Sequence, residues 1–317
     1  MRSPFARAFK AEAFESDTPP ANYAGDFDTD LAAFRGEQDV RRSVFVEMSK
    51  RSSALAENEK GEVVVVPGAW SGFEFDFSRA PIFYPLSNLT IEKGNFPSSK
   101  LYAGASFRST RFINDADFSE ATFISHADFS GTEFTSDANF IGTTFTSNAY
   151  FGESTFTNNA NFTEAVFIGA AYFSEATFTQ NARFSETAFA QVAHFSRATF
   201  EGLAGFRNAT FEAGAEFYGA SFVQTADFCD SSFVKSPPLF VAEGADSGEM
   251  RRARFAALSA GQEAHNFTVY EDSQPIPLGT AGLNGVGYRI PVGTVLFDPS
   301  SWDERQKEYT SLSEPAQ

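Results

Sequence analysis

The chain has 317 residues and a formal net charge of −17, with 24 Lys and Arg against 41 Asp and Glu. That balance disfavours direct nucleic-acid binding and attachment to anionic membranes, while an acidic surface by itself keeps a protein soluble. The single cysteine, Cys229, excludes an intramolecular disulfide framework.

The opening "MRSPFARAFKAEAFESD" has basic residues but lacks the apolar core of a secretory signal. No run of about 18 apolar residues follows, so no membrane span is expected and a cytoplasmic location is the default. Without secretion, the triplets "NLT", "NFT" and "NAT" carry no meaning as glycosylation acceptors. The sharpest compositional signal is 39 Phe against 2 Trp. Ordinary cores mix Leu, Ile, Val and Phe, so this bias points to one small unit copied many times.

Residues 1–71 read as an N-terminal flank. The stretch from "DTDLAAF" to "AENEKG" predicts a helix over about 29–58, with Asp28 or Asp30 as cap and Gly61 as stop. Leu31, Phe34, Val44 and Met48 supply its apolar face. "VVVVPGAW" then predicts a strand entering a repeat region over 72–236. Phe77, Ile82, Ile91, Phe96 and Leu101 mark a degraded opening coil.

From Phe107 to Phe233 the Phe step alternates between five and six without a break, as at Phe118, Phe123, Phe129, Phe134, Phe140 and Phe145. The residue two before each Phe is small: Ala in most cases, Thr at Thr132 or Thr143, Ser at Ser154. An amphipathic helix would need apolar steps of three and four. Residues two apart share one face of a strand, so Ala121 and Phe123 point inward while Thr122 points out. A step of five or six is then one short strand and one corner. Repeated turning winds the chain into a solenoid whose coils hydrogen-bond to one another.

"ADFSGTEF", "AYFSEATF" and "AEFYGASF" resemble the pentapeptide-repeat family in its Phe-centred variety. The resemblance covers 105–233 and implies an all-β, right-handed quadrilateral β-helix with four repeats per coil. The family's usual step is a constant five. The alternation here implies coils of about 22 residues, with one extra residue at two of the four corners. Phe118, Phe140, Phe162, Phe184 and Phe206 then form one ladder, at a coil spacing of roughly 4.8 Å.

Sorting outward residues by this period gives four walls. The wall of Phe123, Phe145 and Phe167 is uncharged, carrying Ile124, Thr144, Thr146, Val166, Ile168 and Ala190, and is a candidate contact surface. Thr and Val also simply suit strands, and a terminal segment is an alternative cover for this wall. The wall of Phe112 and Phe134 is Thr-rich. Acid is assigned to the remaining two, Asp117, Glu164 and Glu186 on one, Asp128, Glu153 and Glu175 on the other.

Residues 237–317 form the C-terminal region. "SGEMRRARFAALSAGQEAHNFTVYEDSQ" predicts helix over about 247–272, similar to the segment that follows the repeats in many Phe-centred relatives. A Gly-rich, strand-like segment follows, whose "IPVGTVLF" resembles phage tail-fibre segments. "SSWDERQKEYTSLSEPAQ" reads as a mobile tail.

No catalytic constellation stands out. His126, His194 and His265 are far apart in sequence; His126 and His194 lack partners at metal-ligand spacing and read as solvated side chains. Cys229 reads as an inert surface thiol. No phosphate-binding Gly loop and no nucleophile elbow occurs. Neither enzyme activity, cofactor, metal nor small-molecule substrate is expected. The leading expectation is a scaffold that presents rigid walls to an unknown protein partner or to a second copy of itself. The family resemblance also implies a DNA-mimicking modulator of a type II topoisomerase, and the C-terminal resemblance a structural part of a phage or other assembly.

Overall fold

The computed structural model describes residues 19, 23, 25–57, 61, 63–82, 93–102, 104–244, 248–259, 262–306 and 308–317. Four parallel sheets form the walls of a solenoid of about seven turns, three of them with eight strands and one with six. Each regular strand is two residues long and pairs in register with the strand 22 residues on, as Thr122 with Thr144 and Thr144 with Val166. Strands this short have no internal stability, so the backbone is satisfied between coils: the Phe118 amide donates to Asn139 O, Phe140 to Asn161 O and Phe162 to Arg183 O, each at 2.7 Å. The walls are named below after one outward residue each: Asp117, Ile168, Asp128 and Thr155.

The five and six steps are two kinds of corner. Between Phe118 and Phe123 the chain makes a tight turn closed by a 3.0 Å bond from Ala121 N to Phe118 O, and Glu120 takes a φ of 55°. Between Phe123 and Phe129 it crosses a wider bend at Ile124–Ser125. The extra residue at the bend displaces an amide from the backbone ladder. A side chain of the preceding coil accepts it: Asn148 Oδ1 from Ala170 N at 3.1 Å, Asn181 Oδ1 from Leu203 N at 3.2 Å, Asp137 Oδ1 from Asn159 N at 3.0 Å. At one bend the fit is tighter still. A Cβ on Gly169 would lie 2.3 Å from the Ser147 carbonyl carbon, so only glycine lets these two corners nest.

The core is phenylalanine, with alanine between. Phe107 to Phe233 are buried at every step of the repeat. Along the ladder Phe118, Phe140, Phe162, Phe184 and Phe206, ring centroids lie 5.0, 4.7, 4.9 and 5.1 Å apart and nearly parallel. The ladder of the opposite wall meets it edge-on: Phe129 stands 5.3 Å from Phe118 at 84° and 5.4 Å from Phe140 at 89°. Both arrangements suit the ring quadrupole. Where the small inward residue is Thr, its hydroxyl bonds to the main chain in three of four cases, Thr110 being the exception. Thr132, Thr143 and Thr187 each donate at 2.7 Å to the carbonyl of a Phe in the previous coil, Phe107, Phe118 and Phe162 respectively.

The flanks differ from the sequence expectation. The helix spans Phe27–Ser52, not 29–58, and Asp26 rather than Asp28 or Asp30 accepts from Thr29, its Oδ2 lying 2.7 Å from the Thr29 hydroxyl. Phe34 and Met48 are buried, but Val44 is exposed. Ser53–Glu57 turns into a strand because Val63–Pro67 pairs with it antiparallel. The β-branched run imposes its own geometry on a segment of helix-favouring Ala, Leu and Glu. "VVVV" therefore closes a hairpin instead of entering the coil. The opening coil forms as expected at Glu74–Asp76, Pro81–Ile82, Lys93–Asn95 and Lys100–Leu101; Ile91 lies outside the described residues.

The C-terminal helix is replaced by β-structure. Met250–Arg252 pairs antiparallel with Val241–Glu243, and Arg254–Ala256 joins the Thr155 wall beside Ser221–Phe222. Phe240, Phe255 and Phe267 stack on Phe217, Phe222 and Phe228, so an irregular coil continues the ladders. A hairpin of Leu278–Leu283 and Val286–Pro291 turns at Asn284–Gly285, both with positive φ. It covers the end of the core with Ala281, Leu283 and Ile290. The tail is folded as well. Ala316 is buried, and Thr280 N donates to Gln317 O at 2.8 Å.

Phe162 has stacked neighbours on both sides and edge contacts across the core. Phe162→Ala is expected to cost about 3–5 kcal/mol, the range for truncating a buried aromatic. Urea unfolding of the variant against the parent chain measures it, and a loss below about 1 kcal/mol would contradict this picture of the core.

Candidate functional site

The Ile168 wall is flat and uncharged at its centre, where Thr144, Thr146, Val166, Ile168 and Ala190 are all partly or largely accessible. Ile168 is 48 % exposed and Val234, further along, 44 %. The Thr146 hydroxyl donates to Ile124 O at 2.6 Å, so it is turned toward the main chain. One end of the wall is occupied. Phe34 and Tyr102 form a small buried cluster against which Tyr23, Phe27, Leu31 and Ile124 pack. Ile124 thus belongs to the seat of the N-terminal helix and Ile168 does not.

The acidic residues divide differently from the sequence sorting. Of the six acids assigned above, Asp117 and Asp128 lie in wall strands, as do Glu133, Glu216 and Asp227; Asp117 and Asp128 each accept the amide two residues on, from Ser119 and Ser130, at 2.9 Å. Asp117 also accepts from Asn139 Nδ2 at 3.1 Å. Glu153, Glu164, Glu175 and Glu186 stand instead at the tight corners, with φ of 57° to 62°. Glu120 and Asp230 share the corner column of Glu164 and Glu186, while Gly142 and Asn208 fill its other places. Gly and Asn adopt this conformation readily; Glu does so at a local cost of order 1 kcal/mol. Arg197 pairs with Glu175 and Arg207 with Asp227 across adjacent coils, both solvent-exposed on the Arg side and of little weight for stability.

The Asp128 wall carries a feature the sequence reading missed. Tyr150 stacks on Tyr172 at 4.9 Å, Tyr172 on His194 at 4.7 Å, and His194 Nδ1 lies 2.7 Å from Glu216 Oε2. The signal was present, because these four occupy one position at intervals of 22. His194 is therefore partnered. His126 Nδ1 lies 3.5 Å from the Ser147 hydroxyl. Cys229 donates to Asp230 at 3.2 Å, and this bond, with burial, raises its pKa, which disfavours the reactive thiolate.

His265 is held between backbone groups. It takes the inward position two before Phe267, where regular coils have Ala. Its Nδ1 accepts from Ala226 N at 3.1 Å, which leaves the proton on Nε2 to be donated to Ala256 O at 3.0 Å. The two bonds define the neutral tautomer. Burial lowers its pKa.

These features define a repeat protein: a parallel β-solenoid whose Phe-filled coils present four narrow walls. A family model described as "Pentapeptide repeats (9 copies)" matches residues 96–144, 107–155, 140–188, 151–199 and 184–232. The repeat region of this chain belongs to the pentapeptide-repeat family, in its Phe-rich form. No curated protein and no solved structure matches the chain. Among the described residues, no helix is long and apolar enough to cross a membrane.

His265 generates a pH prediction. Its folded pKa lies below the unfolded value of about 6.5, so below that pH the unfolded chain binds the extra proton more readily. The stabilisation is complete above pH 6.5 and is lost as pH falls through the folded value. Hydrogen exchange should show the Asn266 and Phe228 amides, bonded to Ala226 O and Asn266 O, losing protection between pH 7.5 and 5. The loss should exceed that in His265→Asn, which does not titrate there. Equal losses in both chains would contradict the assignment.

Proposed function

We propose that this protein is a non-catalytic scaffold, of cytoplasmic location and right-handed winding, that presents the free stretch of the Ile168 wall to a protein partner. One observation carries the reading. Ile168 is about half exposed at the bend that follows the uncharged strand Val166–Phe167, while the same position two coils earlier, Ile124, is already covered by an apolar helix segment. A surface that accepts Phe27 and Leu31 at one end is suited to an apolar partner segment at the other. The rigidity of the core supports this use, since a preformed flat face loses little conformational entropy on binding.

Ile168→Lys tests the reading without disturbing the core, because the side chain projects outward. If the partner is a second copy, light scattering should show the parent chain heavier than the variant. If it is another protein, affinity capture from the native host should retain a specific protein on the parent chain and lose it on the variant. An unchanged mass together with unchanged captured proteins would remove this wall from the function.

The corner column of Glu120, Glu164, Glu186 and Asp230 favours a second reading, a duplex mimic acting on a type II topoisomerase. The column places carboxylates along one edge of a rod whose residues 107–233 hold 15 Asp and Glu against 5 Arg. Inhibition or protection of gyrase supercoiling at micromolar protein would support it, and no effect would end it.

A further inference from the structure

The irregular C-terminal region builds a cleft against the outer face of the Thr155 wall. After Val295–Phe297 joins the Thr155 wall, the chain turns at Pro299–Ser301 and forms a short hairpin, Trp302–Asp303 against Glu308–Tyr309. Tyr309 packs on Phe297 at 4.1 Å and, with Val223, against the Ala256, Leu258 and Phe297 cluster. Trp302 lies edge-on to Tyr309 at 4.9 Å and stays 42 % exposed. Between this hairpin and the outer face of the Thr155 wall lies a cleft of about 540 Å³. Its other side is formed by Thr199, Glu201, Ser221 and Arg254.

The charged groups of the cleft are of both signs. Among the described residues, neither the Glu201 carboxylate nor the Arg254 guanidinium has a hydrogen-bond or ion-pair partner. Elsewhere on the rod, Arg111, Arg197 and Arg207 all pair with a carboxylate of a neighbouring coil. The Trp302 indole donates to Glu304 at 3.1 Å, which holds the ring at the rim. The charges of both Glu201 and Arg254 reach Tyr309, whose pKa burial raises, with Glu201 raising it further and Arg254 opposing.

We propose that this cleft is a binding site for a neutral saccharide. The volume falls within the range of small-ligand sites, and the lining follows their pattern of aromatic surface with a few convergent polar groups. An anion would meet Glu201 and Glu304, and a cation would meet Arg254. A sugar hydroxyl donates and accepts at once, so it satisfies Glu201 and Arg254 together. The apolar C–H face of a pyranose matches the exposed indole face. The site binds and does not react, so it stands apart from the interaction role of the Ile168 wall.

The test uses the full chain on a printed array of neutral oligosaccharides built from glucose, galactose, mannose and N-acetylhexosamines, with sialylated and sulfated glycans alongside. The parent chain should bind at least one neutral glycan. Trp302→Ala and Glu201→Gln should each weaken that binding by tenfold or more. Glu201→Gln is isosteric and lies on the rod, so it reports on the cleft even where Trp302→Ala loosens the hairpin. No binding to any neutral glycan, binding to charged glycans alone, or binding unchanged in Glu201→Gln would overturn the proposal.

Discussion

Parallel strands hydrogen-bonded across coils fix the rise per coil at roughly 4.8 Å. The side chains of the core have to repeat at that distance. A stacked aromatic pair does so: the rings of the Phe ladders lie 4.7 to 5.1 Å apart. An aliphatic side chain would fill the same volume without a face to match its neighbour. Phenylalanine fills the space, keeps few rotamers and gains attraction both from the ring above and from the ring edge across the core. Alanine two residues earlier lets the walls approach closely enough for opposite ladders to interlock. The excess of Phe in the composition is a consequence of this one spacing.

The same spacing acts on the outside. Any residue placed outward recurs beside its counterpart one coil away, and the surface becomes a set of columns. Asn148 and Asn181 use the column to accept amides that the wide bends release. Tyr150, Tyr172 and His194 use it to stack. Ser98 and Glu120 hydrogen-bond along a tight-corner column at 2.9 Å. Like charges in one column sit close together, so acid gathers at corners, where side chains splay into water. Asp117 and Asp128, which do lie on the walls, turn back to their own backbone. The wall acids Glu133, Glu216 and Asp227 pair across coils, with Arg111, His194 and Arg207 respectively, and none of these pairs stands on the wall of Ile168.

The regular coils were legible because one period fixes both which residues point in and which coils pair. The alternation of five and six named every Phe of the core ladder and sorted Ile124, Val166 and Ile168 onto one face. It did not separate wall from corner, because a Glu at positive φ leaves no mark that distinguishes Glu164 from an outward strand residue. The C-terminal coil was lost for another reason. Ala253–Phe255 repeats the inward Ala and Phe of Ala182–Phe184, but the hairpin of Val241–Glu243 and Met250–Arg252 is inserted ahead of it. An insertion between rungs destroys the phase in sequence while leaving the stack in space intact. "LNGV" was a local hairpin signal that the structure uses, at Asn284–Gly285. The N-terminal hairpin needed a partner ten residues away to override a helix-favouring segment, and local propensity does not report that.

Where the period breaks, the chemistry changes. Regular coils repeat their surroundings, so a polar group on one coil meets its like on the next and is satisfied by it. The last coils lose that partner. His265 stands where Ala belongs and bonds at both ring nitrogens to the backbone. Arg254 extends the column of Thr199 and Ser221, and among the described residues it forms no ion pair. Trp302 is one of only 2 Trp in the chain, and it sits over that same stretch of wall. Along the regular coils the outer surface also forms a cleft, over Asp117, Asn139 and Asn161, but its lining there is mostly polar and lacks an aromatic face. The uniform middle supplies a rigid face for a large partner, and the irregular end supplies a concave one for a small ligand.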